Sequence, residues 1–340
     1  SWSIPLYEEG MFGPGYQPEE GSSPTVKDGI VFVGGTGNVF MAVKARTGKI
    51  LWVFHTVGPV MSRATYDKGV VYFGSSDGTF YALDAKTGKL MWKYKLSSEV
   101  SSYPVIFNER IFFSAQNSTL YALDQKTGKW VWQYNREIPR RMTIRGDSSP
   151  VISDSKLYMG FPDGTLVCLE AYSGKEIWTV SLSSGKRFND IVSSPVIDGK
   201  FLYISSFEGQ TYCLDRESGE IRWVFEEGTH KTCAIGGSRL ILSSPSGKII
   251  CLNRNDGAKL WEYTFKKELP SQPVIAGDKV IVGTDKAPIY IFSLEKGELL
   301  WKLKESVGIY GVPAVEGNDL YFLTNGGVLY KYSPSRFQSP

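Results

Sequence analysis

Tyr81-Ala82-Leu83-Asp84-Ala85-Lys86-Thr87-Gly88-Lys89-Leu90-Met91-Trp92 is followed 40 residues later by a near copy, Tyr121-Ala122-Leu123-Asp124-Gln125-Lys126-Thr127-Gly128-Lys129-Trp130-Val131-Trp132. The Gly-x-x-x-Trp end of this stretch occurs seven times among the 340 residues. The seven pairs are Gly48/Trp52, Gly88/Trp92, Gly128/Trp132, Gly174/Trp178, Gly219/Trp223, Gly257/Trp261 and Gly297/Trp301. Their Trp residues are 40, 40, 46, 45, 38 and 40 residues apart, a regularity that identifies a protein built from repeated supersecondary units.

Each repeat contains four short apolar segments separated by turns. In residues 194–226 these segments are Pro195-Val196-Ile197, Phe201 to Ser205, Thr211 to Leu214 and Ile221 to Phe225. Alternating apolar residues between short Gly- and Asp-containing turns predict four antiparallel strands. One such sheet cannot bury both of its faces, whereas eight sheets stacked around an axis can. The sequence therefore predicts an all-β fold, an eight-bladed β-propeller with four antiparallel strands per blade.

The two ends of the chain predict how the propeller closes. Eight segments can serve as the first strand of a blade, but only seven Gly-x-x-x-Trp motifs are present. The last unit, from Val312 to Ser333, contains three strand segments and no such motif, and an eighth Trp stands at position 2. We expect Trp2 to Leu6 to supply the missing outer strand. Blade eight would then consist of about 312–333 plus 1–7, and residues 1–340 would form a single propeller domain.

Composition limits the classes of function. The net charge of +3 gives no reason to expect nucleic acid as a partner. No apolar run of about 18 residues is present to span a membrane, and the start at Ser1 shows no signal peptide. His55 and His230 are far apart, so we expect no metal site.

The repeated residues themselves have structural explanations. The motif Trp residues should pack between blades, and acidic residues such as Asp84, Asp124 and Asp215 should cap turns. Three of the four Cys take the place of Ala82 and Ala122, which predicts small, buried residues with free thiols. These three are Cys168, Cys213 and Cys251; the fourth is Cys233.

Two neighbouring links between blades interrupt the repeat. From the motif Trp to the next first strand the distance is 12 residues after Trp52, but 18 after Trp132 and 17 after Trp178. The first long link carries four Arg among apolar residues, and the second contains the run Lys186 to Ile191. Two such loops on adjacent blades should leave the same rim side by side, where function concentrates. Exposed apolar residues beside Arg are typical of protein-binding surfaces, although both loops could equally be solvated segments whose apolar residues fold back.

The pattern Ala-x-Asp-x-x-Thr-Gly-Lys-x-x-Trp, as in Ala82 to Trp92, resembles the tryptophan-docking repeat of quinoprotein-type (PQQ-like) propellers. The resemblance covers essentially the whole chain and implies eight blades, but this scaffold serves dehydrogenases, sensors and adaptors alike. The dehydrogenases typically carry an adjacent Cys-Cys pair and a Glu/Asn/Asp calcium site. No two Cys are adjacent here, and two His offer little for acid–base chemistry. We therefore expect no catalytic residues, no cofactor and no enzymatic activity.

The two long loops carry a more specific resemblance. Residues Met142 to Pro150 are similar to the Leu-Ser-Leu-Arg-Gly-Glu-Ser-x-Pro loop of the BamB family, lipoproteins of the outer-membrane β-barrel assembly (BAM) machinery. Residues Arg187 to Pro195 resemble that family's Arg-Leu-Ser-Asp-Val-Asp-Thr-Thr-Pro loop, with Val192 in place of its second acidic residue. The resemblance implies that both loops contact a POTRA domain of BamA. The lipidated Cys of the family is absent from this chain, so a membrane anchor is implied only by resemblance.

The family pattern assigns roles to individual residues. Met142 and Ile144 would be apolar anchors, and Arg145 would donate charge-assisted hydrogen bonds. Asp190 would accept hydrogen bonds, either facing the partner or bracing Arg145. The further candidates for contact with the partner are Arg140, Arg141, Asp147, Arg187 and Asn189.

The implied function is a non-catalytic scaffold at the periplasmic face of the bacterial outer membrane. It would bind BamA and assist the folding and insertion of outer-membrane proteins. Unfolded outer-membrane proteins are a further expected partner, through strand addition at exposed blade edges. The alternatives are a ligand-sensing or adaptor propeller of another extracytoplasmic system and a PQQ-dependent dehydrogenase.

Overall fold

The computed structural model describes residues 1–6, 22–136, 148–182, 190–207, 209–229, 231–287, 289–303 and 307–333. Within these residues the regular structure consists of β-strands, which form eight sheets of four antiparallel strands each. The sheets are the blades of an eight-bladed β-propeller, so the predicted fold class is confirmed. By internal contacts the chain divides into two compact units, Ser1–Ser101 with Val274–Pro340, and Ser102–Pro273. The single-domain boundary 1–340 stays a prediction.

The first unit contains blades one, two, seven and eight. Blade one is β2 (Thr25–Lys27), β3 (Ile30–Gly34), β4 (Val39–Lys44) and β5 (Ile50–His55); blade two is β6 (Thr65–Asp67), β7 (Val70–Gly74), β8 (Thr79–Asp84) and β9 (Leu90–Lys95). Blade seven is β26 (Val274–Ala276), β27 (Lys279–Val282), β28 (Tyr290–Ser293) and β29 (Leu299–Lys302); blade eight is β30 (Ala314–Glu316), β31 (Asp319–Leu323), β32 (Val328–Tyr332) and β1 (Trp2–Pro5).

The second unit contains blades three to six. Blade three is β10 (Val105–Phe107), β11 (Arg110–Ala115), β12 (Thr119–Asp124) and β13 (Trp130–Asn135); blade four is β14 (Val151–Ser153), β15 (Lys156–Gly160), β16 (Thr165–Glu170) and β17 (Glu176–Ser181). Blade five is β18 (Val196–Asp198), β19 (Phe201–Ser205), β20 (Thr211–Asp215) and β21 (Ile221–Phe225); blade six is β22 (Ala234–Gly236), β23 (Arg239–Ser244), β24 (Lys248–Asn253) and β25 (Lys259–Thr264).

Blade eight is built from both ends of the chain. Strand β1 pairs antiparallel with β32, with Trp2 opposite Lys331 and Pro5 opposite Val328. The N–H of Leu6 continues this pairing by donating to the carbonyl of Gly327 at 2.8 Å. The N-terminal segment is thus the outer strand of the last blade, as the mismatch between eight first strands and seven motifs predicts.

The hydrophobic core lies between neighbouring blades of each unit. The second and third strands of a blade are buried on both faces, while the outer strands alternate between exposed and half-buried residues. Between blades one and two the rings of Phe40 and Phe73 stack with centroids 3.8 Å apart. A corresponding cluster between blades three and four contains the fully buried Phe112 and Leu157. Within each unit, neighbouring sheets therefore cover each other's faces, which no single blade could achieve alone.

Trp2 and four of the motif Trp residues bind the next blade along the chain. Each indole N–H donates to the carbonyl of the residue just after that blade's third strand. The bonds are Trp2 to Ala45 at 2.9 Å, Trp52 to Ala85 at 3.0 Å, Trp132 to Ala171 at 3.2 Å, Trp178 to Arg216 at 3.2 Å and Trp223 to Arg254 at 3.1 Å. The indole ring lies against the motif glycine of the same neighbouring blade: a Cβ at Gly88, for example, would be 2.6 Å from Trp52. The expected packing role of these five Trp residues is confirmed.

The motif Asp and Cys residues also take the roles predicted for them. The carboxylate of Asp84 accepts hydrogen bonds from the N–H and the hydroxyl of Thr87, at 2.8 and 2.7 Å, and so caps the turn. All four Cys are free and buried, and burial raises the pKa of each thiol to about 12. Three of them lie opposite a motif Trp, as Ala82 lies opposite Trp92; these are Cys168, Cys213 and Cys251.

Candidate functional site

The two long links leave the outer strands of blades three and four. The first runs from Arg136, after β13, to Ser148, and the second runs from Leu182, after β17, to Asp190. Of the nine predicted partner-binding residues, Asp190 is described by the structure. The other eight lie in 137–147 and 183–189, outside the described residues: Arg140, Arg141, Met142, Ile144, Arg145, Asp147, Arg187 and Asn189. The geometry of the site is therefore that of its stems, the described residues at which the loops begin and end.

A tight turn in blade four, residues 161–164 between β15 and β16, lies at the centre of these stems. The N–H of Phe161 donates to the carbonyl of Thr165 at 2.8 Å, and the N–H of Gly164 donates to the carbonyl of Phe161 at 3.1 Å. Pro162, Asp163 and Gly164 supply ordinary turn chemistry, with Gly164 at φ +80°. One carboxylate oxygen of Asp163 accepts from the N–H of Thr165 at 3.0 Å, which fixes the orientation of this side chain.

The stem of the first loop is bound to this turn by an ion pair. The Nε of Arg136 donates to Oδ2 of Asp163, with 28% of the arginine and 18% of the aspartate side chain exposed. Burial lowers the pKa of the Arg136 guanidinium, but the hydrogen bonds and charges of Asp163 and Tyr134 outweigh burial and raise it. The arginine thus stays charged, and the Tyr134 hydroxyl beside it donates to Glu176 of blade four at 2.8 Å.

Both stems of the second loop are bound to the same turn. The N–H of Leu182 donates to the carbonyl of Gly164 at 2.8 Å, and the N–H of Ile191 donates to the carbonyl of Phe161 at 3.3 Å. The Ile191 side chain is fully buried against Gly160, where a Cβ would lie 2.1 Å from its Cγ2. Three of the four stems of the two loops therefore meet on one four-residue turn, which supports their predicted emergence side by side.

The fourth stem, at the end of the first loop, is held by serines. The hydroxyl of Ser114 in blade three donates to the carbonyl of Ser148 at 3.0 Å, and the hydroxyl of Ser148 accepts from Gly160 of blade four at 3.2 Å. The N–H of Ser149 donates to the hydroxyl of Ser194, at the start of blade five, at 2.9 Å. Contacts with three blades thus fix the point where the first loop ends.

Asp190 is buried at the end of the second loop, with 3% of its surface exposed. Its carbonyl accepts from the N–H of Phe207 at 3.0 Å. A residue so deeply buried presents little surface to a partner. Of the two roles predicted for Asp190, bracing Arg145 suits this burial better than facing the partner, and both roles stay predictions.

An apolar anchor secures three of the links between blades, among them the second loop. In these links an apolar side chain lies directly on a glycine of the blade that the link leaves. The pairs are Val60 on Gly34, Val100 on Gly74 and Ile191 on Gly160. In blade three the position of that glycine is occupied by Ser114. In the sequence of the first link, the position that corresponds to Ile191 is occupied by Gly146.

Asp163 is the residue that sequence reasoning missed. Its run Pro162-Asp163-Gly164 looks like the turn Ser76-Asp77-Gly78 of blade two, so nothing in the sequence distinguishes it from a turn-capping aspartate. The contact with Arg136 spans 27 positions and two blades. Only the packing of blade four on blade three brings these side chains together.

Neither a metal-binding cluster nor a membrane-spanning helix is found among the described residues. No group of three or more His, Cys, Asp or Glu side chains among them could hold a metal ion. In the same part of the chain, no helix is long and apolar enough to cross a membrane.

Comparisons with known proteins identify similar chains. A family model described as outer membrane protein assembly factor BamB matches residues 2–82, 55–263 and 224–336. A protein of the same description from Legionella pneumophila (strain Paris) is 34% identical over 76 residues, which span 22% of this chain and only 20% of that protein. The crystal structure of BamB from Moraxella catarrhalis superposes with a TM-score of 0.85 at 23% identity, covering 98% of both chains. Quinohemoprotein alcohol dehydrogenase ADHIIG from Pseudomonas putida HK5 has a TM-score of 0.76 at 16% identity, covering 100% of this chain and 77% of its own. At such identities the two structural matches show the fold alone.

Proposed function

Because this chain belongs to the family of the outer membrane protein assembly factor BamB, we propose that it is a non-catalytic scaffold of the BAM complex. In this role it binds a POTRA domain of BamA and assists the folding and insertion of outer-membrane proteins. It acts at the periplasmic face of the outer membrane, where a lipid anchor outside this sequence would hold it.

One observation carries the proposal: three of the four stems of the two long loops meet on the turn at 161–164. A partner that binds through two loops needs them presented together as one surface. Loops held at their ends by a rigid sheet lose less conformational entropy on binding than free segments do. The meeting of the stems supports the view that residues 137–147 and 183–189 form a single binding surface.

Within this surface the proposed contacts have different chemistry. Met142 and Ile144 contribute apolar area, and Arg145 contributes charge-assisted hydrogen bonds. The buried Asp190 holds Arg145 in the orientation that the partner requires. Val192 stands where the family has a second acidic residue and is half-buried, so the bracing of Arg145 rests on Asp190.

The test is a calorimetric titration with the soluble POTRA domains of BamA from the same source. Arg145→Glu should lose about 2–4 kcal/mol of binding free energy, because it reverses a charge at the proposed centre of the contact. The matched control is Arg46→Glu, a charge reversal at an exposed turn residue of blade one between β4 and β5, which should bind like the wild type. Unchanged melting temperatures would show that both variants are folded. A wild-type protein that does not bind the POTRA domains would refute the proposed function.

A further inference from the structure

We propose that the Arg136–Asp163 ion pair is a clamp that couples the two partner-binding loops, so that fixing one loop positions the other. This inference rests on the proposed function for its effect on binding, although the coupling itself can be measured on the free protein. Arg136 and Asp163 are positioning residues, which act on the partner through the loops.

Asp163 is suited to join two blades because its two carboxylate oxygens have different partners. Oδ1 accepts from the N–H of Thr165 within the turn, and Oδ2 accepts from Arg136 of the preceding blade. The carboxylate is therefore fixed to blade four by its own backbone and connected to blade three by the ion pair. A charge-assisted hydrogen bond of this kind is stronger and more directional than a neutral one.

The corresponding residue in blade two shows a different arrangement. Asp77 accepts from the N–H of Thr79 in the same way, at 2.6 Å, but its cation is Lys95 at 3.6 Å, on the outer strand of the same blade. The blade-two ion pair thus joins two strands of one sheet. In blade four the same turn position is used to hold the start of a long loop that belongs to another blade.

The connection to the second loop runs through the backbone of the turn. Gly164, next to Asp163, accepts from Leu182, where the second loop begins. Phe161, two residues before Asp163, accepts from Ile191, where the second loop ends. A displacement of the turn therefore acts on both ends of the second loop, and the ion pair carries that displacement to the stem of the first.

The clamp also gives the first loop a polar anchor, where the second loop has an apolar one. Ile191 secures its own link by burial on Gly160, whereas in blade three Ser114 stands in the position of that glycine. The ion pair fixes the position of the start of the first loop without an apolar side chain that fills a buried site. It also makes the position of the first loop depend on a residue of the blade that carries the second.

The first experiment measures hydrogen–deuterium exchange of backbone amides in the free protein. Arg136→Met should make the amides of Leu182 and Ile191, which belong to the other loop, exchange about 5- to 10-fold faster. Asp163→Asn should do the same, since it removes the charge but keeps an oxygen for the Thr165 N–H. These amides are informative because their hydrogen bonds end on the turn and not on Arg136.

The matched control is Arg254→Met. Arg254 also pairs with an aspartate of a neighbouring blade, Asp198, and its side chain is 28% exposed, as is that of Arg136. Its ion pair joins the β24–β25 turn of blade six to the β18–β19 hairpin of blade five, at the end of the sheets opposite the links between blades. Arg254→Met should leave exchange at Leu182 and Ile191 unchanged.

The second experiment repeats the POTRA titration with the same three variants. Arg136→Met and Asp163→Asn should weaken binding about 5- to 10-fold, and Arg254→Met should leave it unchanged. Unchanged exchange at Leu182 and Ile191 in the first two variants would overturn the clamp, whatever the partner does. Faster exchange with full binding would overturn its role in positioning the loops. If exchange is faster in the two variants but the wild-type protein binds no POTRA domain, the proposed function is refuted and the coupling between the loops stands.

Discussion

Replacing Gly174 by Ala should reveal how much stability depends on the docking of Trp residues between blades. Gly174 lies in the turn between β16 and β17 with φ +72°, and Trp132 of blade three packs directly on it. A Cβ at this position would lie 2.7 Å from Cε3 and 2.8 Å from Cδ2 of the indole. The substitution therefore adds two separate costs, a strained backbone and a displaced ring.

The two costs can be separated with Gly199, a second turn glycine of the same unit. Gly199 has φ +56°, and a Cβ there would have no heavy atom within 4 Å. Gly199→Ala should therefore lose only the backbone term, about 1–2 kcal/mol of the free energy of unfolding. Gly174→Ala adds about 1–3 kcal/mol of overpacking against the indole, for a total loss of about 2–5 kcal/mol. The shifted ring also strains the hydrogen bond from Trp132 to Ala171.

Urea unfolding of both variants and the wild type, followed by circular dichroism, measures the difference. Fluorescence of the indoles adds a local reading, because a displaced Trp132 becomes more accessible to an aqueous quencher. Equal losses in Gly174→Ala and Gly199→Ala would refute the reasoning. They would mean that the indole moves aside freely and that the motif glycine is present only for its backbone conformation.

Two further predictions concern packing and pH. A pocket of about 610 Å³ between blades seven and eight is lined by Ile281 and Val315. The corresponding positions of blades one and two are occupied by Phe32 and Tyr66, whose rings stack with centroids 5.9 Å apart. Val315→Tyr should fill the pocket and raise the melting temperature, with a gain of about 1 kcal/mol, and a lower melting temperature would contradict this. Because burial raises the pKa of the four thiols, the unfolded chain loses their protons first, and the free energy of unfolding should fall as the pH rises from about 9 towards 12. Urea titrations across that range test this prediction, which flat stability would contradict; the thiols are those of Cys168, Cys213, Cys233 and Cys251.

The fold was predictable because its determinants are local and repeated. The run from Tyr81 to Trp92 combines a strand, a capped turn and the start of the next strand, and each copy repeats the same backbone hydrogen bond, that from the N–H of Gly88 to the carbonyl of Asp84. The missing eighth motif and the isolated Trp2 indicated the closure by β1, since a blade without an outer strand would leave apolar surface exposed. The periodicity also predicted that three of the Cys would be buried, because they occupy the repeat positions of Ala82 and Ala122.

Contacts between repeats were not predictable in the same way. The motif Trp was expected to pack between blades, but the sequence did not show that its ring would lie on the motif glycine of the next blade. The ion pair between Arg136 and Asp163 escaped prediction for the same reason. Each residue has an adequate explanation within its own unit, as a loop arginine and a turn aspartate. Their partnership follows only from the packing of one blade on the next.

The free-energy cost of the long loops depends on how their ends are anchored more than on their length. Extending a link from 12 residues to 18 adds only about 0.4 kcal/mol of loop-closure entropy. Removing the apolar side chain that secures a link to its blade is more serious, since full burial of such a side chain contributes about 1.5–3 kcal/mol. Among the described residues, the anchors of the first loop are polar: the Arg136 ion pair at one end and serine hydrogen bonds at the other. An ion pair that is partly exposed is screened by salt. The presentation of the first loop should consequently depend on ionic strength, whereas the second loop, secured by the buried Ile191, should not.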